Sequence, residues 1–132
     1  MKTSRHILVV DDDEDQLDTL CRGLLYLGHV CVRARSAGEA LARLAPGVPR
    51  VDVLLADLSA PGKPGARVVE EATRARPELA VLVVTGLALS PQVLALGARG
   101  LPILKKPFTP EALGRAIGTA LNRHDNTKGK GT

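Results

Sequence analysis

Five short apolar runs, separated by stretches of helical periodicity, leave this chain few folds to choose from. They read HILVV (6–10), VCVRA (30–34), VDVLLA (51–56), AVLVVTG (80–86) and LPIL (101–104). Four of them barely alternate and are rich in Val, Leu and Ile, which is the pattern of strands buried on both faces in a parallel sheet. VCVRA alternates, which places it nearer an edge.

The intervening stretches carry helix signals. DQLDTLCRGLLYLG sets Leu17, Leu20, Leu24 and Leu27 on one stripe and stops at Gly28. SAGEALARLA opens on Ser36 with Glu39 three residues on, a capping box, and ends before Pro46. ARVVEEATRARPEL follows Gly65 and is broken at Pro77. SPQVLALGA and TPEALGRAIGTALNR each begin with a hydroxyl cap, Ser90 or Thr109, followed by proline at the first helical position. Strand and helix thus alternate five times, which predicts an α/β fold: one doubly wound, five-stranded parallel sheet with helices on both faces.

A chain of 132 residues suits one domain, and 45% apolar residues can fill its core. Tyr26 and Phe108 are the only aromatic side chains, so the packing is aliphatic. The net charge of +4 comes from scattered Arg and Lys with no aromatic interleaving, which argues against a nucleic-acid surface. Cys21 and Cys31 have no metal-ligand or redox spacing and sit among apolar residues. They are expected to be buried free thiols in a reducing cytoplasm. No signal peptide precedes residue 7 and no apolar run reaches the ~20 residues of a membrane span. The domain is expected over 5–123, with the polar, Gly/Lys-rich 124–132 a disordered tail.

In an open parallel sheet, ligands gather at the carboxyl ends of the strands. Asp11 and Asp12 follow the first strand, Asp57 the third, Thr85 and Gly86 the fourth, Lys106 and Pro107 the fifth. Three carboxylates, a hydroxyl and an ammonium therefore meet at one edge. Carboxylates crowded in a cleft raise one another's pKa unless a cation neutralises them. Oxygen ligands suit a hard divalent ion such as Mg²⁺. An ionised Asp57 could then act as a nucleophile, with Lys106 stabilising charge on a phosphoryl group and Thr85 bonding to it afterwards. Asp13, Glu14 and Asp15 are better placed to start a helix, where negative charge is favoured. His6, His29 and His124 have no acid or thiol partner at a useful spacing.

The motifs ILVVDDD, LLADLSAPGKPG, VVTG and LKKPF, in this order and each at a strand end, make residues 5–123 resemble the receiver domain of two-component response regulators. The resemblance implies a flavodoxin-like (βα)5 fold. It also implies a cytoplasmic phosphoacceptor switch, which catalyses only its own phosphorylation and dephosphorylation. Asp57 would take a phosphoryl group from a sensor histidine kinase or phosphotransfer protein. Asp12 would bind Mg²⁺ directly, Asp11 mainly through water, with Asp57 and the backbone carbonyl of Ser59 completing the protein ligands. Lys106 would pair with the acids and then with the phosphoryl group, Thr85 would be the switch hydroxyl, and the Lys106–Pro107 bond would be cis. Pro61 and Gly65 match the turn after the phosphoacceptor, Gly65 letting it reverse. A monomer or weak dimer is expected, with no membrane partner. Repulsion within the acid cluster predicts that Asp11→Asn or Asp12→Asn stabilises the metal-free fold while abolishing phosphorylation.

Departures from the family pattern bear on output. Ile103 stands where many receivers carry the switch aromatic, and Ala60 where Met is common. The fourth helix looks short. Ser59 and Leu87 occupy positions that tune dephosphorylation and neither positions water strongly, which predicts slow loss of phosphate. Two rival readings are a pseudo-receiver that binds partners without phosphorylation and a small Mg²⁺-dependent phosphatase. The intact set Asp11, Asp12, Asp57, Thr85 and Lys106 argues against the first. The second lacks a further catalytic acid after Asp57, since Ser59 sits there, and lacks a cap segment.

Overall fold

Strands and helices alternate along the whole chain in a computed structural model that describes residues 4–60, 62–86 and 90–130, with 124–130 as backbone alone. The elements are β1 (His6–Val10), α1 (Glu14–Tyr26), β2 (Val30–Ala34), α2 (Ala37–Arg43), β3 (Val53–Asp57), α3 (Gly65–Ala75), β4 (Ala80–Thr85), α4 (Pro91–Ala98), β5 (Ile103–Lys105) and α5 (Pro110–Lys130). The strands form one sheet in the order β2-β1-β3-β4-β5, and every pairing is parallel. Pro61 and Leu87 lie outside the described residues.

The order explains the sequence pattern. β3 and β4 are buried throughout and β1 at all but His6, as their unbroken apolar runs require. β2 and β5 are the edges and are only partly buried. β5 begins after Pro102, whose nitrogen has no hydrogen to give to the ladder although its carbonyl accepts from Val83 at 3.0 Å.

Alternate residues feed two cores. Ile7, Val9, Val53, Leu55, Leu82 and Val84 face α1 and α5. Leu8, Val10, Leu54, Ala56, Val81 and Val83 face α2, α3 and α4. The caps do what their residue types suggest. Asp13, Ser36, Ser90 and Thr109 accept hydrogen bonds from the first turns of α1, α2, α4 and α5.

Two features differ from expectation. Cys21 and Cys31 are joined in a disulfide, with Cα atoms 5.5 Å apart, and are not free thiols. Sequence separation hides the pairing, but α1 packs on the β1–β2 side of the sheet and turns buried Cys21 toward β2. The inference of a reducing compartment from free thiols falls with it, because disulfides persist mainly in oxidising ones. Second, α5 continues as helix through 124–130, where composition suggested a disordered tail. Adding turns to a helix already nucleated at Thr109 and packed on β4 costs little, even for polar residues.

Candidate functional site

The chain runs from β1 to β2 on one side and then crosses to place β3 on the other side of β1. The crevice of such a sheet opens where the order reverses, at the carboxyl ends of β1 and β3. Asp11 and Asp57 stand at those two ends, and both are fully buried.

Asp11 is fixed by its backbone, whose N–H donates to the Ala34 carbonyl at 3.1 Å. Its Oδ1 accepts from the Asp13 N–H at 2.9 Å, which bends the chain into α1. Asp13 then caps α1, its own Oδ1 accepting from the N–H groups of Asp15 and Gln16 at 2.9 and 3.2 Å. Glu14 faces outward and pairs with Arg35 at 2.9 Å. The acidic run is therefore divided: Asp11 points in, Asp12 is 58% exposed at the rim, and Asp13 to Asp15 start the helix.

Asp57 is held on both carboxylate oxygens. Its Oδ1 accepts from the Ser59 N–H at 2.8 Å and from the Ser59 hydroxyl. Its Oδ2 accepts from Lys106 Nζ at 2.6 Å. Lys106 is delivered from the end of β5, where its N–H donates to the Thr85 carbonyl at 2.8 Å and the Lys106–Pro107 bond is cis. Thr85 is buried at the end of β4. Gly86 follows it, and a Cβ there would come within 3.3 Å of Ser59 Oγ and 3.4 Å of Lys106 Cδ. Ile103 lies at the start of β5 and packs against the α2–α4 core. Phe108 packs on the opposite core.

The loop from β3 to α3 turns at Gly62, with φ of +84°, and not at Gly65. Gly65 serves a different need: a Cβ there would lie 3.0 Å from the Asp57 carbonyl oxygen, so only glycine lets α3 start this close to β3.

Two site residues escaped the sequence reading. Gln16, in the first turn of α1, accepts from Lys106 Nζ at 2.7 Å. Lys63 reaches back from the β3–α3 loop, and its Nζ lies 2.7 Å from Asp11 Oδ1 and 3.4 Å from Asp12 Oδ1. The signal for Gln16 is its position one turn beyond the acid cluster. The signal for Lys63 is a cation, in APGKPG, on the loop that rims the acid pocket.

The pocket splits the behaviour of its two buried acids. Burial pushes the Asp11 carboxyl above its ordinary value, with neighbouring Asp57 adding to the rise and Lys63 and the Asp13 N–H opposing it. Burial acts the same way on Asp57, but hydrogen bonds from Lys106 and Ser59 outweigh it and hold that carboxyl below the ordinary value. Burial would lower the Lys63 ammonium, and its bonds to Asp11 and Asp12 raise it instead. An ionised, oriented Asp57 beside an ammonium is suited to nucleophilic attack on an electrophile that gains negative charge.

Among the described residues no three His, Cys, Asp or Glu side chains form a closed metal cage. The donor set nevertheless fits Mg²⁺, which takes one or two carboxylates and otherwise waters and substrate oxygens. Asp11 Oδ2 is buried without a hydrogen-bond partner, the kind of atom a cation would satisfy. No helix among the described residues is long and apolar enough to cross a membrane.

Known proteins share this architecture. The response regulator receiver domain family matches residues 7–118. The response regulator MprA of Mycobacterium ulcerans is 33% identical over 121 residues, 91% of this chain and 51% of that protein. The transcriptional regulatory protein GlrR of Escherichia coli is 31% identical over 119 residues, 89% of this chain and 26% of its own length. The chain thus spans about half or less of these curated relatives. A response regulator receiver domain protein from Clostridium thermocellum superposes with a TM-score of 0.80 at 27% identity, over 93% of this chain and 98% of the other. The receiver domain of NtrX from Brucella abortus gives 0.75 at 28% identity, over 88% and 98%. A sheet that opens between β1 and β3, buried acids at those two strand ends and a family match over nearly the whole sheet and its helices lead to one conclusion: the chain belongs to the response regulator receiver domain family of two-component systems.

Proposed function

We propose that this receiver is a phosphoacceptor switch in which Asp57 takes a phosphoryl group from the phosphohistidine of a sensor kinase or phosphotransfer protein. The observation that carries the reading is the Asp57 carboxylate itself: fully buried, bonded to Lys106 at 2.6 Å, and held below the ordinary carboxyl value by Lys106 and Ser59. An Asp57 oxygen attacks phosphorus, the P–O bond forms as the P–N bond to imidazole breaks, and the imidazole nitrogen keeps the electron pair. Lys106 exchanges the carboxylate for a phosphoryl oxygen, a move of the ammonium over a short distance. Gln16 holds Lys106 on the α1 side during that exchange. Thr85 hydrogen-bonds the phosphoryl group in the product.

Asp11, Asp12, Asp57 and the Ser59 carbonyl would hold Mg²⁺, and the bound ion would neutralise the carboxylates and draw charge from the phosphoryl oxygens. The output is a population shift in the loops after β4 and β5, which alters partner binding. Ile103 in place of an aromatic means that Thr85 signals without the usual ring partner. Ser59 turns its hydroxyl to Asp57 and is a weak group for positioning water, so the phosphate is lost slowly; a half-life of seconds would contradict this. The family's kinase partners, and not the disulfide-bonded cysteines, are the basis for assigning the switch to the cytoplasm; it acts as a monomer or weak dimer and catalyses nothing beyond its own phosphorylation and dephosphorylation.

Incubation with a small acyl phosphate and Mg²⁺, followed by intact-mass measurement, tests the proposal. One added phosphoryl group, lost in Asp57→Ala, is expected. The absence of any adduct would leave a constitutive binding module, and sustained turnover of phosphate esters would make the protein an enzyme.

A further inference from the structure

Lys63 occupies an unusual place. It follows the left-handed turn at Gly62 and precedes Pro64, the residue before α3, so the loop has little freedom to carry it elsewhere. Its side chain is only 14% exposed. The ammonium bonds Asp11 Oδ1 at 2.7 Å and approaches Asp12 Oδ1 at 3.4 Å, so it sits between the two acids at the end of β1. Lys106 already neutralises Asp57 on the other side of the pocket. The site therefore carries a second cation of its own, supplied by the loop next to the phosphoacceptor.

We infer that Lys63 is an intramolecular counter-cation that competes with Mg²⁺ for Asp11 and Asp12, so that metal binding must expel its side chain from the pocket. The inference rests on the reading of Asp11 and Asp12 as metal ligands. A divalent ion held by these carboxylates, directly or through water, would stand beside the ammonium that now bonds them, where two positive charges repel. Lys63 leaves Oδ2 of Asp11 open, but an ion taken up there faces the ammonium across the same carboxylate, and the like charges drive the side chain out. Lys63 thus sets how much Mg²⁺ the receiver needs before it can be phosphorylated. It is a positioning residue: it touches no reacting atom and acts through the carboxylates it holds. Its release also ties metal occupancy to the β3–α3 loop, because the side chain that leaves belongs to that loop.

Calorimetric titration of the whole chain with Mg²⁺ tests this, comparing the parent with Lys63→Met and Lys63→Arg. Lys63→Met is expected to bind Mg²⁺ about tenfold more tightly, the effect of removing one close like charge, while Lys63→Arg does not tighten. Measurable Mg²⁺ binding that is equal or weaker in Lys63→Met overturns the role of Lys63 and leaves the acid pocket as a metal site. No Mg²⁺ binding by parent or variant overturns the metal reading of the acids and this inference together. A second readout needs no variant. Acylation of Lys63 by an amine reagent, followed by mass spectrometry, should speed up in saturating Mg²⁺ relative to exposed Lys105. An unchanged relative rate overturns the expulsion.

Discussion

Two carboxylate–ammonium pairs face each other across the pocket, and they look alike. Asp57 meets Lys106 at 2.6 Å and Asp11 meets Lys63 at 2.7 Å, and both acids are fully buried. Their surroundings differ. Asp57 has a donor on each oxygen, and its ammonium is braced by Gln16. Asp11 has both of its donors on Oδ1 and none on Oδ2. The first acid is held ionised, and burial pushes the second toward its neutral form. Two pairs of nearly equal length thus do opposite work. One is a finished electrostatic unit built for reaction, and the other retains an unmet need that a cation can answer.

Breaking the pairs one at a time should show the difference. Lys106→Met strands an ionised buried carboxylate and should lower stability in metal-free buffer by about 3 kcal/mol in urea denaturation. Lys63→Met should cost less, about 1 to 2 kcal/mol, since Asp11 keeps the Asp13 N–H and takes up a proton readily. Added Mg²⁺ should close the gap for Lys63→Met and leave the gap for Lys106→Met open, because a ligand stabilises the form that binds it more tightly. Equal losses that Mg²⁺ does not separate would make the two pairs equivalent.

The two halves of the pocket were also unequally legible in the sequence. Asp57 and Lys106 stand at strand ends inside short motifs, and strand ends of a parallel sheet converge by topology alone. The strands themselves were visible because central strands must be apolar without interruption. Lys63 and Gln16 were not visible as site residues. Each lies off the strand ends, and only the path of a loop or the first turn of a helix brings its side chain in. The Cys21–Cys31 bond was hidden for a similar reason: it joins a helix face to an edge strand, and nothing in a ten-residue separation announces that contact. The extent of α5 was misjudged because composition weighs residues singly, whereas helix extension is cooperative.

Acid titration separates the pairs by sign. The folded Asp57 carboxyl lies below its ordinary value of 3.8, so its contribution is complete above that value and is lost as pH falls through the folded value. The folded Asp11 carboxyl lies above 3.8, so its contribution is present below that value and is lost as pH rises through the folded value. In metal-free buffer, Asp57→Asn should therefore flatten the loss of stability on acidification. Asp11→Asn should remove a loss on the neutral side. Urea midpoints measured from roughly pH 3 to 7 give both slopes, and slopes of the same sign in the two variants would contradict the split.

The smallest effect belongs to Asp12→Asn. Repulsion read from the acid cluster alone would make this substitution stabilising. Lys63 changes the balance, because the charge removed from Asp12 had repelled Asp11 and attracted an ammonium 3.4 Å away. At 58% exposure both terms are weakened by water, and they oppose each other. The metal-free stability should stay within about 0.5 kcal/mol of the parent in urea denaturation. A gain well above that would mean that the acids still repel with Lys63 in place, and that the loop cation balances less of the pocket than its distances imply. Performed on the Lys63→Met background, the same substitution should become stabilising, since only the repulsion is then left to relieve.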